Sequence, residues 1–254
     1  IAAPEGLIDP MVKMLSFWNS EQPIACLTYY ATHPQTYYRQ GDVTSDFVGL
    51  ARAAREKATN GLPHIHFTGA GGNITVGKYN DGTPEGRKLL AERLADGLRT
   101  AWESTEKRPI AAQDVDWRVA RVKLPVSPHI DAESLRKIVA DESIPPLDRE
   151  TAAQRLAFLK RVSDGHEFEL SCLKVDGAYA LHMPGELFVE YQFAAQKMRP
   201  DDFVCMAAYG DYSPLYIGTE KAYEEGGYET EPRSSNVAPS VEKILIEGMR
   251  QLLK

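Results

Sequence analysis

Three side chains on distant segments of the chain have the chemistry of a zinc site. Glu186 lies in the sequence Pro-Gly-Glu-Leu-Phe, Tyr216 follows thirty residues later, and His33 lies far upstream. Each stands where a strand is predicted to end or a helix to begin, and functional side chains are commonly presented at such positions. Zinc accepts nitrogen and oxygen ligands, and a catalytic zinc site keeps one position open for water or substrate. The three residues therefore predict a metal centre that activates water.

Each of the three residues also has an explanation that needs no metal. His33 could be a strand-end histidine that is hydrogen-bonded to the backbone. Glu186 could interact with the dipole of a helix that begins there. Tyr216 could simply pack its ring, and Tyr212 is a rival oxygen donor in the same loop.

Other polar residues offer weaker candidates for a site. His64 and His66 fall on the same side of a predicted strand and could hold a metal ion together. His182 fits the core or the surroundings of a site better than a ligand position. Asp46 fits a helix cap or a loop organiser, with contact to the site as the alternative.

A glycine-rich loop at residues 69–75 follows a predicted strand. Its backbone N–H groups could point at an anion or a developing oxyanion, and a tight structural turn is the alternative. Residues 72–78 also fit the pattern G-x-x-x-x-G-K of phosphate-binding loops. However, Tyr79 stands where that motif needs Ser or Thr, and residues 80–82 predict a turn instead of a helix. We therefore assign no nucleotide site.

Length and composition restrict the class of protein. A chain of 254 residues can bury the core of one α/β domain. The net charge of −7 argues against a nucleic-acid partner, which would need a basic face. No apolar run approaches the roughly 20 residues that span a bilayer. Cys26, Cys172 and Cys205 are widely spaced, which predicts buried apolar residues and no disulfide framework.

Strands and helices are predicted to alternate along the chain. Apolar runs rich in β-formers predict strands at residues 24–31, 64–67, 114–126, 168–175, 178–182 and 203–208. Capping residues and helical apolar spacing predict helices at residues 44–59, 83–104, 132–141, 148–163, 186–198 and 241–253. Residues 7–17 are interpreted as a lead-in segment, and the tyrosine-rich stretch through Tyr228 as loop. The order predicts an α/β fold, a layered mixed β-sheet domain flanked by helices. Residues 1–254 form a single domain in this interpretation, with a charged helical excursion at 127–165.

Five motifs, taken in order, resemble the neutral/alkaline non-lysosomal ceramidase family. They are Ala-Thr-His-Pro at 31–34, Thr-Ser-Asp-Phe-Val-Gly at 44–49, Phe-Thr-Gly-Ala-Gly-Gly-Asn-Ile at 67–74, Pro-Gly-Glu at 184–186, and the stretch from Tyr216-Ile-Gly-Thr through Tyr228-Glu. The similarity runs over most of the chain and is weakest between about 127 and 165. Order and spacing carry the resemblance, because each motif alone is short.

The resemblance implies a zinc-dependent hydrolase that cleaves an amide bond. It implies His33, Glu186 and Tyr216 as metal ligands. Tyr228, twelve residues after Tyr216, corresponds to the second active-site tyrosine and would donate a hydrogen bond to the developing oxyanion. Thr75 replaces the family's loop serine and could position water or substrate. A covalent acyl-threonine route is disfavoured, because no base is evident to activate that hydroxyl.

The resemblance also implies what surrounds this chain. No H-T-H-type motif, which carries the family's first metal-binding histidine, precedes His33. We therefore expect the chain to be the C-terminal part of a larger catalytic domain, without the family's immunoglobulin-like domain. The expected substrate is a small N-acyl or lipid-like molecule, and export from the cell is implied by the resemblance alone. The alternatives are a non-catalytic ligand-binding relative and a metal-dependent ester or phosphoester hydrolase.

Overall fold

Residues 6–38, 40 and 43–254 are described by a computed structural model of the chain. The strands are β1 (Lys13–Asn19), β2 (Gln22–Tyr30), β3 (His64–Thr68), β4 (Val115–Val122), β5 (Phe168–Val175), β6 (Ala178–His182), β7 (Glu186–Leu187), β8 (Phe203–Ala207) and β9 (Tyr216–Ile217). The α-helices are α1 (Asp46–Ala58), α2 (Pro84–Glu103), α3 (Ala132–Ala140), α4 (Pro146–Ser163), α5 (Val189–Met198), α6 (Glu220–Glu225) and α7 (Val241–Leu252). None of these helices is long and apolar enough to span a bilayer.

The strands form two larger sheets and one small one. In the first sheet, β2 pairs antiparallel with β1 and parallel with β3. In the second, β4, β5 and β6 are antiparallel neighbours, and β8 adds in parallel to β6. β7 and β9 form a separate parallel pair. The sheets are therefore mixed, as predicted.

The two larger sheets pack face to face, with helices on their outer faces. Small side chains of the second sheet, including Ala180 and Cys205, pack against Tyr29 of the first sheet. Because successive side chains of a strand point to opposite faces, their neighbours Leu181 and Met206 enter the core with α5 and α7. On the first sheet, α1 and α2 pack against β1 and β2. This layering confirms the predicted α/β class.

The cysteines lie in these buried layers. Cys26, Cys172 and Cys205 are free and buried, as their spacing predicts. Burial raises the pKa of the Cys26 and Cys172 thiols to about 11, so both stay protonated near neutral pH. They act as small apolar side chains.

Several predicted boundaries are wrong. The segment interpreted as a lead-in contains most of β1, a half-buried edge strand whose side chains give no strong apolar alternation. The strand predicted at 114–126 ends at Val122. The helix predicted from Glu186 begins only at Val189, because Glu186 and Leu187 pair with β9. The tyrosine-rich stretch is not all loop, since it contains β9 and α6.

The backbone of the glycine-rich loop lies very close to the backbone of two other segments, the end of β2 and β7. The N–H of Gly69 donates to the carbonyl of Tyr30, and the N–H of Gly72 donates to that of Leu187 at 2.7 Å. The N–H of Ala70 donates to the side-chain oxygen of Gln192. These three amides are occupied within the fold, so for them the structural turn, and not the binding of an anion, is the role observed.

The side chain of Asn73 ties the same loop to the start of α5. Its amide nitrogen donates to the Glu190 carboxylate at 2.9 Å, and its oxygen accepts from the backbone N–H of Val189 at 2.9 Å. Phe188, the residue at the cap position of α5, makes no side-chain cap. Asn73 therefore satisfies a free amide of the first turn from a distant segment.

Replacing Gly72 with Ala should lower the free energy of unfolding by about 1–3 kcal/mol. An added Cβ would lie 2.3 Å from the backbone oxygen of Glu186, so the loop and β7 would have to separate. Gly77→Ala is the matched control, because its Cβ would meet the nearest described atom, Thr75 Cγ2, at an ordinary 3.5 Å. Urea denaturation of both variants measures the difference, and equal stabilities would contradict the packing role.

Candidate metal centre

His33 follows β2, and the glycine-rich loop orients its ring. Its backbone N–H donates to the carbonyl of Ile74. Its Nδ1 lies 2.8 Å from the carbonyl oxygen of Gly71 and 3.0 Å from that of Ile74. Because carbonyl oxygens only accept, Nδ1 carries a proton. In the neutral ring, Nε2 is then the atom with a free lone pair, as a metal-binding histidine requires.

Strand pairing brings Glu186 and Tyr216 together. The two residues are direct partners in the parallel pair of β7 and β9, and the N–H of Glu186 donates to the carbonyl of Leu215 at 2.8 Å. Gly185 before them has a φ of +63°, and a Cβ there would lie 2.6 Å from the Leu215 oxygen. Glycine is therefore required at the turn that leads into Glu186.

The three predicted donor atoms converge. His33 Nε2 lies 2.9 Å from Glu186 Oε2 and 3.2 Å from Tyr216 Oη. Zinc binds nitrogen and oxygen at about 2.0–2.2 Å in tetrahedral geometry. Two neighbouring donor atoms of such a site therefore lie roughly 3.3 Å apart. The donor set therefore fits a zinc ion. Within the described residues no three His, Cys, Asp or Glu side chains are grouped so that they could hold a metal ion, so a third protein donor at this point would have to be the phenol.

Charge is balanced within the centre without a metal. Burial lowers the pKa of His33, but the Glu186 carboxylate and two backbone carbonyls outweigh burial and raise that pKa above its usual value. Burial raises the pKa of Glu186, but hydrogen bonds from His33 and Tyr212 lower it overall. Burial, and then the Glu186 carboxylate, raise the pKa of the Tyr216 phenol. A metal ion would have to displace a proton here, so its affinity depends on pH.

Two further tyrosines belong to the surroundings of Glu186. Tyr212, the rival donor, donates its hydroxyl to Glu186 Oε1 at 2.6 Å. Tyr209 has a φ of +67°, a backbone conformation that is uncommon outside glycine. Its ring lies edge-on to His33, with centroids 6.4 Å apart. Nothing in the sequence separates Tyr209 from the other tyrosines of this stretch, so sequence reasoning alone misses it.

The hydroxyl of Tyr209 is buried beside the site. Burial, and next the Glu186 carboxylate, raise the pKa of this phenol. Even so, the oxygen makes no hydrogen bond of normal geometry to any described residue. Buried polar groups without a hydrogen bond are rare in native proteins, and a catalytic role is one of the explanations for them.

A cavity of about 290 Å³ opens beside His33 and Tyr216, and the two predicted catalytic residues, Thr75 and Tyr228, also line it. Tyr228 lies on a short 3₁₀ turn, with its ring half exposed and 5.9 Å from that of Tyr216. Thr75 is exposed, and its hydroxyl accepts from the N–H of Gly77. A larger groove, about 1360 Å³, runs along β1 and α2, away from every predicted site residue.

The weaker histidine candidates are engaged elsewhere. His64 is fully buried and bonds through Nδ1 to the carbonyl of Leu62. His66 bonds through Nδ1 to the Thr28 hydroxyl, and burial lowers its pKa to about 4. His182 packs between aromatic rings. These histidines take no part in the arrangement around Glu186.

Asp46 organises the loop that precedes α1. Its carboxylate accepts from the N–H of Thr36 at 2.8 Å and from the Thr36 hydroxyl at 2.6 Å. It also accepts from the N–H of Phe47 in the first turn of α1. Asp46 therefore fills the role of loop organiser, and its carboxylate bonds to none of the three donors.

The fold is that of solved ceramidase structures. A structure titled "Ceramidase complexed with C2" matches 97% of this chain and 48% of its own chain, with a TM-score of 0.70 and 12% identity. Neutral ceramidase from Pseudomonas aeruginosa matches 97% of this chain and 47% of its own, with a TM-score of 0.67 and 14% identity. The chain thus spans about half the length of these ceramidases. No family model and no curated protein matches. The resemblance predicted from the motifs is confirmed for the fold.

Removing the hydroxyl group from either of two tyrosines beside Glu186 should change the free energy of unfolding, in opposite directions for the two. Tyr209→Phe removes a buried hydroxyl that makes no hydrogen bond of normal geometry, so the free energy of unfolding should rise by about 1 kcal/mol. Tyr212→Phe removes a hydrogen bond to a buried carboxylate, so the free energy of unfolding should fall by about 1.5 kcal/mol or more. Urea denaturation of chelator-treated protein measures both. A large loss of stability in Tyr209→Phe would show that its hydroxyl has a partner.

Proposed function

We propose that the chain is a zinc-dependent hydrolase that cleaves the amide bond of an N-acyl, lipid-like substrate. The observation that carries the proposal is the convergence of an imidazole, a carboxylate and a phenol, with Nε2 of His33 2.9 Å from Glu186 and 3.2 Å from Tyr216. With the upstream histidine that the resemblance implies, these three ligands would hold a zinc ion and leave room for water or substrate, as in catalytic zinc sites. The ceramidase fold supports the choice of an amide as the bond that is cleaved.

His33, Glu186 and Tyr216 would hold the zinc ion. Zinc, when bound, would polarise a carbonyl group and lower the pKa of water to about 7. The carbonyls of Gly71 and Ile74 keep the imidazole turned with Nε2 toward the metal position. Tyr212 holds the second carboxylate oxygen of Glu186, which leaves Oε2 for the metal.

Two residues of the cavity would act on the substrate. Tyr228 presents a half-exposed phenol beside Tyr216 and would donate a hydrogen bond to the substrate oxygen on which negative charge develops. Thr75 presents its hydroxyl at the opening and would position substrate or water. A covalent role for Thr75 is not proposed, because no general base lies among its hydrogen-bond partners in the described residues.

The size and lining of the cavity suggest which part of the substrate it encloses. Ligand pockets are usually about 300–1,000 Å³ in volume, and this cavity, at about 290 Å³, is at the lower limit. Its remaining lining is largely polar and includes Gln35, Asn73, Asn80 and Glu229. The cavity therefore suits the amide and a polar head group, while a long acyl chain would extend beyond it.

Glu186→Gln should remove zinc and hydrolysis together, because an amide is a much weaker zinc ligand than a carboxylate. Glu167→Gln is the matched control, since Glu167 is exposed and lies outside the centre. Elemental analysis of dialysed protein gives zinc content, and a panel of N-acyl amide, ester and phosphoester substrates gives activity. Stoichiometric zinc with full turnover in Glu186→Gln would refute the assignment. Turnover confined to esters or phosphoesters would favour the other hydrolase class.

Tyr228→Phe should separate metal binding from catalysis. We expect unchanged zinc content and a kcat about 100-fold lower, the usual effect of losing one oxyanion donor. Loss of zinc from this variant would instead make Tyr228 a ligand or a support of the ligands. Zinc with wild-type kcat would exclude it from the reaction.

A further inference from the structure

Helix α4 of the charged excursion makes a direct ionic contact with the loop that precedes β9. Arg161 Nη2 lies 2.7 Å from Asp211 Oδ2, and Nη1 lies 3.3 Å from Asp211 Oδ1. Nη1 also donates to the Ser213 hydroxyl at 3.1 Å. A guanidinium that grips a carboxylate with two nitrogens fixes its orientation as well as its position. The excursion is therefore linked to the candidate site and is not only peripheral.

Asp211 is the point at which this loop is tied to the segment that carries Glu186. Its backbone carbonyl accepts from the N–H of Gly185, the residue before Glu186, at 2.8 Å. Its carboxylate accepts from the N–H of Ser213 at 3.1 Å and from the Ser213 hydroxyl at 2.7 Å. The next residue, Tyr212, donates its hydroxyl to Glu186 Oε1. Asp211 is thus connected to the Glu186 carboxylate in two ways, through the Gly185 backbone and through the Tyr212 side chain.

Arg161 itself packs against the main core. Its guanidinium carbon lies 5.1 Å from the centroid of the Phe168 ring, which is buried in the main core. Phe158 of the same helix is also fully buried in that core. His166 Nε2 lies 2.6 Å from Nη2 of Arg161. These contacts fix the position of the guanidinium independently of Asp211.

We infer that Arg161 is a positioning residue of the metal centre. It fixes Asp211, and thereby keeps Tyr212 on Glu186 and the carboxylate turned toward His33. The side chains of Arg161 and Asp211 are 38% and 33% exposed, and ion pairs with such exposure add little to global stability. We therefore expect the ion pair to affect the geometry of the site more than the stability of the whole protein. The metal-binding part of this inference rests on the proposed function, whereas the ordering of the loop does not.

Zinc affinity, measured by competition with a chelator, tests the inference. Arg161→Ala should weaken zinc binding about tenfold, the lower limit for loss of a residue that supports a ligand. Arg161→Lys should restore only part of the affinity, because an ammonium cannot form the two-pronged contact. Lys160→Ala is the control from the neighbouring position, where the side chain pairs with exposed Asp164, and should bind zinc within twofold of the wild type.

Hydrogen exchange of the metal-free protein provides a second readout that needs no zinc. Amides of residues 209–215 should exchange faster in Arg161→Ala than in the wild type and Lys160→Ala, while β5 and β6 stay protected. Unchanged zinc affinity together with unchanged exchange would overturn the inference. If the wild type bound no zinc, the proposed function would fail, and exchange alone would decide the ordering role, with unchanged exchange ruling it out.

Discussion

The parallel pairing of β7 with β9 is the interaction on which the candidate centre depends. It aligns Glu186 with Tyr216 and Leu187 with Ile217, so a carboxylate and a phenol from distant segments lie side by side. A pair this short is not stable alone. The Gly72 amide binds the carbonyl of Leu187, and the Gly185 turn packs against the loop before β9. The glycine-rich loop thus supports the ladder and, through its carbonyls, orients His33.

A buried carboxylate sets the second constraint. Glu186 is only 5% exposed, and a buried charge is costly unless other groups neutralise and hydrogen-bond it. His33 and Tyr212 provide these contacts, and the carboxylate in turn raises the pKa of the imidazole against the lowering effect of burial. The carboxylate is thus stabilised without a metal. His33 and Tyr216, the two donors at this point, can each release a proton when a metal ion binds.

Local signals predicted much of the fold, and contacts between distant residues explain most of the errors. Thr83 caps α2, and Pro84 fills its first turn, as expected from short-range chemistry. The start of α5 was misplaced because the pairing of Glu186 with Tyr216 cannot be seen within one segment. Similarly, the partners of the glycine-loop amides lie on other elements. His33 and Glu186 are 153 residues apart, so their residue types and predicted positions could suggest a shared site, but the family resemblance was needed to assign them as ligands of one metal.

The most direct test of the metal centre is a crystal structure of the protein grown with zinc, with anomalous data collected on both sides of the zinc edge. If these residues are the ligands, one strong anomalous peak should lie about 2.0–2.2 Å from His33 Nε2, Glu186 Oε2 and Tyr216 Oη. A peak elsewhere, for example between His64 and His66, would contradict it. So would a fully ordered His33–Glu186 hydrogen bond with no zinc between the two side chains at saturating metal.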